Sequence, residues 1–154
     1  MSIDKYTNLS KQWRKINALW YKIFMNYLEQ KNLTYTEAIV LLTILSLKKP
    51  SKSDISKYMR CEPQSITRAI NSLLSKKLLK RYIDTKDKRV VRFELRELGK
   101  EFSLKTQEFI NRNWQKSLEH IDNKDLNIFC NQLDGVMTNL ESLTKLYFQN
   151  NECS

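Results

Sequence analysis

Two groups of residues in this chain have the types and spacing needed to read another molecule. In the first, Gln64, Ser65, Thr67 and Arg68 lie within a stretch whose apolar members, Ile66, Ile70, Leu73 and Leu74, recur at helical spacing. At about 100° per residue, Gln64, Arg68, Asn71, Ser72 and Ser75 point away from that apolar face, with Ser65 and Thr67 flanking them. Near the start of a helix laid in a major groove, a Gln amide can pair with adenine and an Arg guanidinium with guanine. The second group is the loop Asp84-Thr85-Lys86-Asp87-Lys88-Arg89. Its cations Lys86, Lys88 and Arg89 suit a phosphate backbone or the narrow minor groove of A·T-rich DNA, whose potential attracts arginine. Ser51, placed to cap a preceding short helix, joins the candidate DNA contacts.

Covalent chemistry is poorly provided for. There is no glycine-rich phosphate loop, no HExxH and no nucleophile elbow, so an enzyme is not expected, and neither is a cofactor. The single histidine, His120, fits a structural or solvated role better than a metal ligand. The three cysteines, Cys61, Cys130 and Cys153, are odd in number and lack CxxC spacing, which points to reduced thiols rather than a disulfide framework. Cys61 precedes the helix that opens at Cys61-Glu62-Pro63, where a helix terminus can lower a thiol pKa. The better expectation for it is a small buried residue.

The elements that must position these groups are mostly helical, since only two glycines and two prolines punctuate 154 residues. Thr34 to Glu37 has the form of a capping box ahead of Ala38, Leu41, Leu42 and Leu45. Ser51 caps a shorter helix carrying Ile55 and Met59, and Pro63 suits the first turn of the next. After Leu78 and Leu79 the period changes to alternation. Val91, Phe93 and Leu95 are expected on one strand face with Arg92 and Glu94 on the other, and Tyr82 and Ile83 supply the partner strand.

Long periodic stretches flank this middle. Tyr6, Leu9, Trp13, Ile16, Trp20, Ile23 and Tyr27 form one heptad seam, and Leu126, Phe129, Leu133, Val136, Leu140, Leu143 and Tyr147 form another, opened by Asp122 as N-cap. Phe102, Thr106, Phe109, Ile110, Trp114, Leu118 and Ile121 make a third periodic stretch. Seams at both chain ends could line a single-chain bundle. A charged module between them better suits terminal helices that pair with a second copy.

The charge supports the same division. Residues 48 to 100 hold 16 Lys or Arg against 6 Asp or Glu, and the remainder holds 11 of each, so the whole excess of +10 sits in the middle. A localised basic segment is the footprint of a polyanion-binding module. Together these features give a mainly α chain with a small β-hairpin wing: a winged helix-turn-helix with long N- and C-terminal dimerisation helices. Residues 33–99 form the DNA-binding region and residues 1–32 and 100–154 the discontinuous dimerisation region.

At LTYTEAIVLL (33–42), QSITRAINSLLSKKLLKRY (64–82) and DTKDKRVVRFELRELGK (84–100) the sequence resembles the MarR family of transcriptional regulators. The resemblance implies a homodimer that binds a pseudo-palindromic double-stranded operator, with residues 63 to 76 as recognition helix. It further implies that Arg89 enters the minor groove while Asp87 helps hold it. Two departures stand out. The family commonly has glycine where Lys77 stands, so the exit of the recognition helix is expected to differ, and Arg96 replaces a capping threonine. Trp13, Trp20, Tyr21, Tyr27 and Tyr35 gather near the first helix junction, where the resemblance implies a small aromatic or amphipathic effector. No apolar run is long enough for a membrane span, so a cytoplasmic repressor is expected. The alternative is a winged-helix module that binds protein rather than DNA.

Overall fold

The computed structural model describes residues 3–61 and 63–149, so Glu62 and Cys153 lie outside the description. In order come α1 (Ile3–Glu29), α2 (Tyr35–Leu47), α3 (Lys52–Met59), α4 (Pro63–Ser75), β1 (Leu79–Ile83), β2 (Val91–Leu95), α5 (Glu97–Ser117) and α6 (Asn123–Gln149). This is the mainly helical winged helix-turn-helix arrangement expected. The chain divides into two compact units, Met1–Ile110 and Asn111–Ser154.

Within the first unit, α2 is apolar almost all round, and such a helix is stable only when enclosed. Its start is fixed by the capping box: the Glu37 N–H donates to Thr34 Oγ1 at 3.2 Å and the Thr34 N–H to Glu37 Oε2 at 2.7 Å. Ser51 and Asp54 make the same reciprocal pair at the start of α3. Ala38, Val40, Leu41 and Ile44 from α2 meet Ile55 from α3, Ile66, Ala69, Ile70 and Leu73 from α4, and Leu79 and Phe93 from the hairpin in one core.

The seam expected on α1 is not its buried face. Phe24 and Leu28 are buried while Tyr6, Leu9, Trp13, Ile16 and Ile23 are exposed. A straight helix drifts about 20° per heptad, and only the C-terminal part of α1 meets the core, so the buried pair falls beside the seam. Phe24 centres the aromatic cluster: it lies 5.7 Å from Tyr35, 6.4 Å from Phe109 and 5.9 Å from Trp20 between ring centroids. Tyr27 stacks on Phe109 at 4.0 Å. Trp13 is instead exposed.

The hairpin pairs Leu79 with Leu95 through Ile83 with Val91, in antiparallel register. Its expected apolar face is only partly used. Phe93 is buried and Leu95 half-buried, but Val91 and Ile83 are exposed because the core beneath ends at Leu79 and Phe93. β1 also starts earlier than Tyr82.

The exit from α4 corrects the expectation raised by Lys77. Lys77 takes φ 57°, the Leu78 N–H donates to the Leu73 carbonyl at 3.0 Å and the Lys77 N–H to that of Leu74 at 3.1 Å. The left-handed exit that glycine usually relieves is therefore made by lysine. Arg96 does not cap α5 with its side chain; its Nε donates to the Leu79 carbonyl at 3.2 Å.

In the second unit α6 opens at Asp122, whose Oδ1 accepts from the Asp125 N–H at 2.8 Å. Leu126 and Leu133 are half-buried, while Phe129, Val136, Leu140, Leu143 and Tyr147 are exposed. The third periodic stretch ends early: α5 stops at Ser117, and the Ile121 N–H donates back to the Leu118 carbonyl at 3.0 Å in the following turn.

Candidate nucleic-acid interface

The recognition helix is held from both ends. Pro63 begins it where no N–H is needed, and Lys76 follows its last turn. Lys76 Nζ donates to Glu37 Oε1 at 2.9 Å, Glu37 Oε2 at 3.0 Å and the Asn32 carbonyl at 2.8 Å. Glu37 is 2% exposed. Burial pushes its carboxyl upward, yet hydrogen bonds from the Ser72 hydroxyl, the Thr34 N–H and Lys76, with the Lys76 charge, hold it below its ordinary value. The start of α2 and the end of α4 are thus clamped by a partly buried ion pair.

The polar face of α4 splits between two grooves. One, of about 450 Å³, runs between α4 and the hairpin and is lined by Ser51, Lys52, Thr67, Asn71, Arg81 and Arg89 among others. Three cations that line one groove together with two neutral hydrogen-bonding side chains suit a negatively charged strand. The other groove, about 350 Å³, lies against the start of α2 and includes Thr34, Thr36, Ser65, Arg68 and Ser72. Arg68, Gln64 and Ser65 are exposed on the first turns of α4.

Not every expected contact offers a free group. The Thr67 hydroxyl donates to the Pro63 carbonyl at 2.7 Å and lies 3.4 Å from Lys52 Nζ, and Ser51 Oγ donates to Asp54 Oδ2 at 2.8 Å. Lys86, Asp87, Lys88 and Arg89 are all exposed at the hairpin tip. Asp87 Oδ1 accepts from the Arg89 N–H at 3.0 Å, so the aspartate orders the backbone that carries the arginine.

The loop's main organiser was not singled out from sequence. Asp84 Oδ1 accepts from the N–H groups of Lys86 at 2.7 Å and Asp87 at 3.1 Å, and Asp84 Oδ2 accepts from Arg92 Nε. Arg92 first, then those amides, hold the Asp84 carboxyl down at about 2. Lys52 and Arg81 were also missed as groove cations. Lys52 left a signal, since it follows a cap residue, whereas Arg81 emerges only from the strand register, which sets it opposite Phe93 in the groove beside α4.

Cys61 is exposed, not buried as expected, and so is Cys130. Arg60 ends α3 in a left-handed conformation, which turns the chain outward, and the Cys61 thiol donates to the Met59 carbonyl at 3.3 Å.

Known proteins show the same arrangement. Residues 22–106 match the family described as transcriptional regulator SarA/Rot. The transcriptional regulator AdcR of Streptococcus pyogenes serotype M6 is 32% identical over 114 residues, covering 67% of this chain and 76% of AdcR. A MarR family protein from Bacillus stearothermophilus is similar in structure, with a TM-score of 0.77 at 20% identity over 92% of this chain and 99% of that one. The S. aureus MepR–DNA complex gives a TM-score of 0.76 at 18% identity, over 85% and 95% of the two chains.

Proposed function

We propose, from the premise that this chain belongs to the SarA/Rot family of transcriptional regulators and has the MarR-type winged helix, that it is a cytoplasmic, dimeric repressor reading double-stranded DNA. One observation carries the proposal. The groove between α4 and the hairpin brings Lys52, Arg81 and Arg89 beside Thr67 and Asn71, so backbone neutralisation and base reading are offered together. In this reading α4 enters the major groove with Gln64, Ser65, Thr67 and Arg68 near the bases, while Ser51 and Lys86 flank phosphates. Arg89, ordered by Asp87 and assisted by Lys88, probes the minor groove. The solved MepR complex with DNA shows a protein of this fold engaging that partner, which supports the assignment.

Residues 33–99 act as the DNA-binding region, and residues 1–32 and 100–154 serve dimerisation. The support is the amount of apolar surface the single chain leaves uncovered. On α1, Leu9, Trp13 and Ile16 are 57%, 51% and 48% exposed, and on α6 Leu140 and Leu143 are 55% and 46% exposed. Rows of large exposed apolar residues mark an interaction surface. In this reading a small aromatic or amphipathic effector binds near the α1–α2 junction, where Trp20, Tyr21, Tyr27 and Tyr35 gather, and the role is one of binding rather than catalysis. Among the described residues no helix is long and apolar enough to cross a membrane.

Footprinting of bound genomic fragments, followed by titration across salt concentration, tests the proposal. The site should be a pseudo-palindrome with half-site centres about 10 base pairs apart or a whole-turn multiple. Log affinity should fall with log salt at about 0.9 per phosphate contacted. A weak salt response with binding to a protein partner would replace DNA reading by the protein-docking alternative. Leu133→Glu with Leu140→Glu should abolish dimerisation and tight DNA binding together.

A further inference from the structure

Arg92 is the residue where three separate parts of the DNA-facing surface meet. Its Nε donates to Asp84 at the root of the hairpin loop. Its Nη1 donates to the Lys49 carbonyl at 3.2 Å, in the turn between α2 and α3, and stands 3.7 Å from Asp54 Oδ2. Asp54 is the same carboxylate that caps α3, since its Oδ2 accepts from the Ser51 N–H at 2.8 Å. The backbone beside Arg92 repeats the connection: the Phe93 N–H donates to the Pro50 carbonyl at 2.9 Å, and Ser51 bridges to Arg92.

From Arg92 the contacts run outward without a gap. Asp84 receives the guanidinium on one oxygen and the Lys86 and Asp87 amides on the other, and Asp87 receives the Arg89 amide. A two-stranded hairpin alone is marginally stable and free to tilt. A planar guanidinium that engages acceptors on separate elements restricts that tilt in a way a single ammonium group does not.

We propose that Arg92 is a positioning residue for DNA recognition: it locks the wing to the α2–α3 turn and the α3 cap, and so fixes where Arg89 meets the minor groove relative to the recognition helix. Arg92 itself acts through Asp84 and need not touch DNA. The inference rests on the DNA-binding reading given above, and it adds a determinant of flank preference that lies outside the recognition helix and the loop tip.

The test compares wild type, Arg92→Leu, Arg92→Lys, Arg89→Ala and the Arg92→Leu/Arg89→Ala double variant on duplexes with constant half-sites and either A·T-rich or G·C-rich flanks. Amide hydrogen exchange of each free protein is measured alongside. Wild type should prefer A·T-rich flanks. Arg92→Leu should lose that preference while keeping its discrimination between correct and scrambled half-sites, and Arg89→Ala should add little in that background. In the free protein, the amides of Lys86, Asp87 and Arg89 should exchange faster in Arg92→Leu, while those of α4 keep wild-type protection. Arg92→Lys should keep the charge and still lack the flank preference. Restoration by lysine, independent losses from Arg92 and Arg89, or unchanged loop exchange would each overturn the proposal. Faster exchange in α4 as well would make Arg92 a general fold stabiliser and overturn it too. A wild-type protein that binds no DNA, or ignores its flanks, would instead sink the DNA and minor-groove reading on which the inference depends.

Discussion

Replacing Gly99 by alanine puts a methyl group where another backbone already lies. A Cβ at Gly99 would sit 2.1 Å from the Leu78 carbonyl oxygen and 3.0 Å from its carbon. That carbonyl is also the acceptor for the Arg96 N–H at 2.9 Å, so it cannot withdraw without loosening the joint between the hairpin and α5. The two backbones would have to part by about 1 Å to restore ordinary contact. Forced overpacking of this kind costs about 1–3 kcal/mol, and a weakened hydrogen bond adds about 0.5–1.5 kcal/mol. Alanine returns about 0.5–1 kcal/mol through helix propensity. The net expectation is a loss of about 2 kcal/mol, or a melting temperature lower by roughly 4–8 °C for a chain of this size. Thermal unfolding should be followed at fixed protein concentration, because a dimer's apparent stability depends on it. Helix propensity alone predicts the opposite sign. An alanine variant as stable as wild type, or more so, would refute the close approach at Leu78.

Four further outcomes follow from named contacts. Lys77→Gly should raise stability by about 0.5 kcal/mol, since relief of a left-handed side chain worth about 1–2 kcal/mol exceeds the added flexibility of glycine; a lower urea midpoint would count against it. Glu37→Gln should destabilise by about 1–3 kcal/mol at neutral pH by removing charge-assisted hydrogen bonds. Because the folded Glu37 carboxyl lies below its ordinary 4.5, its contribution is present above that value and is lost as pH falls through the folded pKa. The gap between wild type and Glu37→Gln should therefore close in acid, and a gap constant from pH 7 to pH 3 would contradict the assignment. Arg68→Ala should cost about 1–3 kcal/mol on the preferred site and relax preference at one base pair, whereas equal loss on random DNA would make Arg68 a phosphate contact. Asp87→Ala removes an acidic charge yet should weaken binding, because the Arg89 amide loses its acceptor; tighter binding would favour a simple basic patch.

Most of the framework was legible in the sequence because its signals are local. The caps at Thr34, Ser51 and Asp122 and the proline start of α4 each involve residues within one helical turn, and all four form as read. The loop at 84–89 announced itself by composition. Arg92 did not, since its partners lie 8 residues away at Asp84 and 43 away at Lys49, and alternation says only that it shares a face with Glu94. Which row of α1 the chain buries has a related cause. A heptad pattern records every apolar row on a helix, and nothing local tells which row faces the chain's own core. Phe24 packs against Tyr35 of α2 and Phe109 of α5, and it and Leu28 are buried while Tyr6, Leu9, Trp13, Ile16 and Ile23 of the more regular seam stay exposed. Whether Val91 would be covered was likewise set by where the core ends, not by the strand's alternation.

The turns add a physical argument about the basic charge. Left-handed backbone occurs at Asn32, Lys48, Lys49, Arg60 and Lys77, positions at which glycine would be sterically easiest. Four of these five are cations, and Lys48 and Arg60 stand at the C-caps of α2 and α3, with Lys77 just beyond α4. A cation at a helix C-terminus gains about 0.3–1 kcal/mol from the helix dipole, which offsets only part of the roughly 1–2 kcal/mol that a left-handed side chain costs. Solvated surface lysines could be placed anywhere on these helices at no such cost. Charge held against local backbone preference is the kind of conflict found where function, rather than folding, selects the residue. Lys48, Lys49, Arg60 and Lys77 all fall within the segment that carries the entire net charge. That concentration is easier to account for by a polyanionic partner than by a solvated face.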